Sequence, residues 1–178
     1  MTALDHVAMT VSIEITLRLA AASDLPKLEW FGQYAHFRNL YRRSFREQQH
    51  GRRLLLLADG NDFPIGHVFI QLQSNNPTIA DGSRRAYLYS FRVMEVFRGK
   101  GIGTRLLNEA ESLVMARGFD RTTIAVAKHN QKARQLYERL GYRIFDQDPG
   151  RWRYRDHRGQ NQEVNEPCWL MEKSLKTW

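Results

Sequence analysis

Residues 93–104 read Val-Met-Glu-Val-Phe-Arg-Gly-Lys-Gly-Ile-Gly-Thr, and the reading of the whole chain turns on them. A strand-like run, Ala86 to Val93, ends where this stretch begins, and an amphipathic helical period starts where it stops. Gly99, Gly101 and Gly103 alternate, so one edge of the turn carries no Cβ and backbone N–H groups can converge on an anion. The next helix adds its unpaired first amides and the positive end of its dipole. This is the geometry of a phosphate cradle.

Downstream, Leu106, Leu107, Ala110, Leu113 and Val114 keep a helical period that Gly118 closes. Residues 122–126 form a β-branched strand. Asn130 then caps a short helix with the apolar stripe Ala133, Leu136, Tyr137 and Leu140, ended by Gly141. Upstream, residues 13–19 alternate as a half-buried strand, and Leu54–Ala58 and Ile65–Leu72 make an antiparallel hairpin around Asp59-Gly60-Asn61-Asp62. Between them, Ser23-Asp24-Leu25-Pro26 reads as a helix start. A helical region through Phe37, Leu40, Tyr41 and Phe45 follows, with Arg38, Arg42, Arg43 and Arg46 on a solvated face.

The last segment reads as two strands, around 142–155 and 164–175, joined through residues 156–159. In it, Arg151-Trp152-Arg153-Tyr154-Arg155 alternates strictly, so aromatics and arginines face opposite ways. A core face with a solvated edge fits this pattern, and so does an arginine row facing an acidic acceptor or nucleic acid. The order of elements predicts an α/β (α+β) fold around a mixed sheet.

Composition narrows the class. At 178 residues, with 42% hydrophobic and 26% charged residues, the chain fits one globular domain. We read residues 13–176 as that domain and 1–12 as a short N-terminal extension. Cys168 is the single cysteine, which excludes an intrachain disulfide and a cysteine metal cluster. The histidines show no metal-ligand spacing, so no metal is expected. The N-terminus has neither a basic start nor an apolar run, and no segment has the length of a membrane span, so a cytoplasmic protein without a membrane partner is expected. Residues 84–178 hold 19 Lys and Arg against 11 Asp and Glu, and residues 1–83 hold 8 of each, so the excess of +8 sits with the glycine turn. A field of that sign steers polyanions, and it also serves solubility.

Two phosphate motifs fail. A Walker loop needs Ser or Thr after Gly-Lys, and Lys100 precedes Gly101. The dinucleotide fingerprint needs a third glycine where Thr104 or Leu106 stands. What matches is Arg/Gln-x-x-Gly-x-Gly, as Arg98-Gly99-Lys100-Gly101-Ile102-Gly103, with Asn130-Gln131-Lys132-Ala133-Arg134-Gln135-Leu136-Tyr137-Glu138-Arg139-Leu140-Gly141-Tyr142 after one further strand. Together these resemble the GNAT superfamily of N-acetyltransferases, closely over residues 84–145 and elsewhere only in the order of elements.

The resemblance implies an acyl-CoA N-acyltransferase-like fold. Its mixed central sheet has about six or seven strands with helices on both faces, and it splays between the fourth and fifth strands, with a β-bulge in the strand ending at Val93. It implies acetyl-CoA as co-substrate, with pantetheine along Phe91 and Val93, and pyrophosphate on the amides of Gly99, Lys100, Gly101, Ile102, Gly103 and Thr104 beside Arg98. Asn130 matches the position that contacts the pantetheine arm, although a plain helix cap explains it equally well. Tyr137 matches the general acid toward the CoA sulfur, against core packing as the reading from periodicity alone. A backbone N–H near Val93 is the expected oxyanion donor.

No general base follows. Tyr87 and Ala125 stand where some relatives carry glutamates, Glu95 reads as exposed, and His129 sits beside a helix cap. The implied reaction is direct attack of a primary amine on the thioester in a ternary complex. A small-molecule acceptor is slightly favoured over a protein N-terminus or lysine, and a non-catalytic acyl-CoA sensor is the alternative of another class. The two motifs argue against a nucleic-acid-binding domain. Acceptor selection is expected from residues 24–50, 74–85 and 146–166, and Glu29, Glu47 and Asp81 are candidate carboxylates for a cationic acceptor. Relatives often form homodimers, and Trp169, Leu170, Met171 and Trp178 fit either such a contact or the core.

Overall fold

Four consecutive leucines, Leu54 to Leu57, set the layering. Leu54 and Leu56 bury into one apolar cluster, and Leu55 and Leu57 into another on the opposite face. A strand apolar on both sides has to lie inside a sheet with cover above and below. The computed structural model, which describes residues 9–176, places it so. Strand β2 (Arg53–Gly60) pairs antiparallel with β1 (Ile15–Leu19) and with β3 (Pro64–Gln71). The first eight residues of the N-terminal extension and Trp178 lie outside the described residues.

Strand β3 pairs antiparallel with β4 (Arg85–Val93), which runs parallel to β5 (Arg121–Ala127) after the crossover through α2 (Ile102–Met115). The sheet is completed by β6 (Arg143–Asp148) and β9 (Cys168–Ser174), in the order β1-β2-β3-β4-β5-β9-β6. Helix α1 (Arg38–Gln49) covers one face, with Tyr41 packed among Leu55, Leu57 and Phe69. Helices α2 and α3 (Gln131–Arg139) cover the other, where Leu106, Leu107, Val114 and Tyr137 meet Leu56, Ile70 and Ile124. Seven mixed strands between helices confirm the expected fold class.

Two expectations are corrected. The stretch Ser23 to Pro26 does not open a helix. Three 3-10 turns, Ala22–Asp24, Lys27–Glu29 and Ala35–Phe37, precede α1. Asp24 turns back on the Ala21 N–H (2.8 Å) and is buried in an ion pair with Arg18 (2.7 Å), so this capping residue closes only its own turn. Trp30 then donates its indole N–H to the Pro64 carbonyl at 2.8 Å, and Trp30 and Phe31 adopt positive φ, which stops any helical run. On α1, Arg42, Arg43 and Arg46 are exposed as expected, whereas Arg38 pairs with Glu29 at 2.5 Å.

The two expected C-terminal strands are four. Between β6 and β9 lie β7 (Arg151–Arg155) and β8 (Asn161–Asn165), which form a separate two-stranded ribbon. The pairing register nevertheless runs straight through, from Asp148 opposite Cys168 to Arg151 opposite Asn165. Continuing that register sets Pro149 opposite Pro167. Neither has an N–H to give, so the ladder breaks there. Gly150 makes the kink at φ +64°, where a Cβ would overlap the Glu166 carbonyl, and its own carbonyl accepts the Glu166 N–H at 3.1 Å. The kinked ribbon folds over α1, with Tyr154 against Phe37 and the Asn39 amide donating to the Asp156 carbonyl at 2.7 Å. Leu170 and Met171 are buried inside the chain, and Trp169 is partly buried against the core, under Lys128.

Candidate active site

Parallel strands β4 and β5 pair only from Arg85 opposite Arg121 to Leu88 opposite Ile124. Beyond that they diverge and leave a gap at their carboxyl ends, the usual place for a ligand in an open α/β sheet. The register of β3 on β4 slips by one between His67 and Phe69, so β4 carries an extra residue around Ser90, whose φ is +49°. This bulge re-aims the end of β4. The Met94 N–H is bonded to the Ile65 carbonyl at 2.8 Å, and strand polarity alternates, so the backbone groups of Val93 and Phe91 point the other way, into the gap. Arg98 curls back to donate its Nε–H to the Val93 carbonyl at 2.9 Å.

The glycine turn sits at the mouth of the gap. Gly99 and Gly101 have φ of +73° and +79°, and both face open space. Gly103 is held by contact instead, because a Cβ there would come within 3.0 Å of the Phe91 ring. The first hydrogen bond of α2 closes from the Arg105 N–H to the Gly101 carbonyl at 3.1 Å, so the amides of Ile102, Gly103 and Thr104 precede it and have no partner within the helix. Asn130, past the end of β5, accepts the Ala133 N–H on its Oδ1 at 3.1 Å and so caps α3. Tyr137 on α3 is 5% exposed and packs against Phe91 and Tyr142. Its hydroxyl makes no hydrogen bond among the described residues, and burial pushes its pKa well above the ordinary phenol value.

Across the sheet, on the face of α1, lies a cavity of about 540 Å³. Tyr87, Tyr89 and Arg92 of β4, Ala125 of β5, and Asp148 and Trp152 of the kinked hairpin are among its walls. Its lining reaches Phe37 just before α1, Arg43 of α1, Asn76 and Ile79 of the loop before β4, and Gly150 and Glu166 at the hairpin break. These fall within the three segments expected to select an acceptor. Burial pushes the Tyr87 phenol well above its ordinary pKa, with Cys168, Tyr89, Tyr137 and Asp148 adding to the shift, so Tyr87 stands in the field of groups on both sides of the gap.

The family model for the acetyltransferase (GNAT) family matches residues 19–142. The chain belongs to this family. Curated relatives include the uncharacterized N-acetyltransferase YycN of Bacillus subtilis (strain 168), 29% identical over 82 residues, which are 46% of this chain and 49% of that protein. Thialysine N-epsilon-acetyltransferase of Mus musculus is 33% identical over 67 residues, 38% of this chain and 39% of that protein. The matches thus span about half or less of the length of these curated relatives. Among solved structures, Arabidopsis thaliana NAA60 in complex with acetyl-CoA has a TM-score of 0.69 at 21% identity, over 91% of this chain and 99% of that one. That likeness is one of fold.

The residues singled out in this GNAT sequence divide between the two sides. Phe91, Val93, residues 98–104, Asn130 and Tyr137 gather on the glycine-turn side of the gap. Tyr87 and Ala125 line the cavity. Glu95 and His129 are exposed, and His129 lies 3.7 Å from Glu166. The three candidate carboxylates are engaged elsewhere: Glu29 with Arg38, Glu47 with Arg43 and Arg53, and Asp81 with the backbone of residues 83–85. The carboxylates on the cavity wall are Asp148 and Glu166, which sequence reasoning missed. In the Arg151–Arg155 row Tyr154 is half-buried against Phe37 and Trp152 is exposed at the cavity wall, while Arg153 pairs with Glu163 at 2.5 Å and Arg155 Nε–H reaches the Gly159 carbonyl at 2.9 Å. Among the described residues no group of three or more His, Cys, Asp or Glu side chains is arranged to hold a metal, and no helix is long and apolar enough to cross a membrane.

Proposed function

We propose that residues 13–176 act as one N-acetyltransferase domain that moves an acetyl group from acetyl-CoA to a primary amine, by direct attack with both substrates bound. The observation that carries this reading is the bulge at Ser90, which turns the backbone edge of Phe91 and the Val93 N–H into the gap, in line with the open amides at the start of α2. The donor's parts fit what is there: an extended amide-bearing arm along the strand edge, and a pyrophosphate on the amides of residues 99–104 with Arg98 beside them. Asn130 keeps its Nδ2 amide free for the arm while its Oδ1 caps α3. Acetyl-CoA would supply the acetyl group as an activated thioester.

The protein's own part is placement and proton handling. The Val93 N–H faces the gap as the oxyanion donor. Tyr137, kept protonated by burial, holds the proton for the departing sulfur. The neighbouring cavity, half-open and about 540 Å³, has a volume that supports a small-molecule acceptor.

Calorimetry with acetyl-CoA, followed by thiol release across a panel of amines, tests this. Binding and release are expected. Binding without release on any amine would make the domain a sensor, and absence of binding would sink both readings.

A further inference from the structure

The walls of the proposed acceptor cavity carry opposite charges that the protein cancels only in part. On the α1 side stand Arg43, Arg53 and Arg92. Glu47 serves the first two, by an exposed contact of 3.3 Å with Arg43 and a close one with Arg53, which also holds the Tyr89 hydroxyl. Arg92 has no carboxylate among the described residues. Its guanidinium lies 4.5 Å from the ring centre of Tyr34 and 5.1 Å from that of Phe37, and donates to Ser90 Oγ at 2.9 Å. Held this way, it is oriented, dry on its faces, and short of an anion.

The opposite wall is the kinked hairpin, where Asp148 and Glu166 line the same cavity. Asp148 accepts only the Gly150 N–H, at 2.7 Å, and Glu166 has only the exposed His129 at 3.7 Å. Neither meets an arginine or lysine among the described residues. The pairing of β5 with β9 and of β9 with β6 sets Asp148 level with Cys168 and Ala127, near the open end of the gap. Arg92 lies two residues past the bulge on the strand that forms the gap's other lip.

An unpaired guanidinium on one wall and unpaired carboxylates on the other select a molecule that carries both charges. Deepening the N-acetyltransferase reading and resting on it, we infer that the acceptor is an amino carboxylate, such as a free amino acid, with its carboxylate on Arg92 and its amine toward Asp148 and Glu166. A bidentate arginine–carboxylate contact is strong and directional, and a substrate lacking the carboxylate leaves it unmade. A polyamine would set its far charge against the unpaired Arg92.

The test compares matched pairs in the thiol-release assay: amino acids against their amides and decarboxylated amines, with short peptides alongside. Wild type is expected to prefer the carboxylate member by about tenfold or more in kcat/KM. Arg92→Gln should erase most of that preference, Arg92→Lys should restore part of it, and Asp148→Asn should raise KM for the same substrates. Thermal melts and acetyl-CoA titration of each variant separate misfolding from lost recognition. Equal use of both members by wild type, or a preference that survives Arg92→Gln, overturns the inference and leaves the N-acetyltransferase reading standing. Acetyl-CoA binding without transfer to any amine overturns both.

Discussion

The two sides of the gap are built on different plans. The glycine-turn side comes from one continuous stretch, residues 85–142, and most of what it offers a ligand is backbone: amides at the start of α2 and the free edge of β4. The cavity side is gathered from α1, the middle of the sheet and the kinked hairpin, held together by contacts such as Asn39 to Asp156, 117 positions apart. It offers side chains. A site made of backbone is sensitive to φ and largely indifferent to side-chain identity, whereas a site made of side chains is the reverse. One domain can therefore keep the chemistry of one side while the other side is rewritten.

The largest blow to this comparison should come from Gly150→Val. Positive φ and the overlap with the Glu166 carbonyl together cost about 3 kcal/mol or more. We expect a lower melting temperature and a raised acceptor KM with acetyl-CoA affinity retained. A loss of acetyl-CoA binding of the same size would show that the two sides do not stand independently. Next, Tyr137→Phe is expected to lower kcat about 100-fold at unchanged acetyl-CoA affinity, the effect of removing a general acid. Unchanged turnover would return Tyr137 to the core.

A smaller effect concerns His67. It is fully buried under Trp30, Tyr41 and Phe69, and neither ring nitrogen has a hydrogen-bond partner among the described residues. Desolvation first, and the charge of Arg92 second, hold its pKa down near 3. The unfolded chain takes up this proton at about pH 6.5 and the folded one does not, so stability is complete above that pH. It should fall toward pH 3 by up to about 1.4 kcal/mol per pH unit. Melting curves of wild type and His67→Phe should diverge across this window, and parallel curves would remove His67 from the pH response. The smallest effect expected is from Asn130→Ala, about 1 kcal/mol of stability from the lost cap. A weaker acetyl-CoA affinity in the same variant would give Asn130 both roles, and unchanged affinity would leave it the cap alone.

This division also explains what the amino-acid sequence revealed. Glycine spacing, the Asn130 cap and the stripe through Tyr137 act over a few residues, so the glycine-turn stretch and the order of elements up to residue 142 were readable. Arg92 and Asp148 carry no local signal, because one looks like any strand arginine and the other like any turn aspartate. They become partners only through the strand order β4-β5-β9-β6. Asp24 misled because the same carboxylate that caps helices elsewhere here answers Arg18. The hairpin break was written as Pro149-Gly150 and Glu166-Pro167, and seeing it requires that the two prolines sit at equal distances from the connecting turn.

The bulge at Ser90 also acts as a reading frame. Side chains on a strand alternate, and the bulge absorbs one extra residue, Ser90 beside Tyr89 on the cavity face, so that each later letter stays on the face its β3 partner requires. With Ser90 in place, the Arg92 side chain is read by the cavity while the backbones of Phe91 and Val93 are read by the gap. Deleting that single residue would leave two steps of β4 opposite two of β3, with Phe91 and Arg92 on the faces they already have, and would remove only the kink that re-aims the end of the strand.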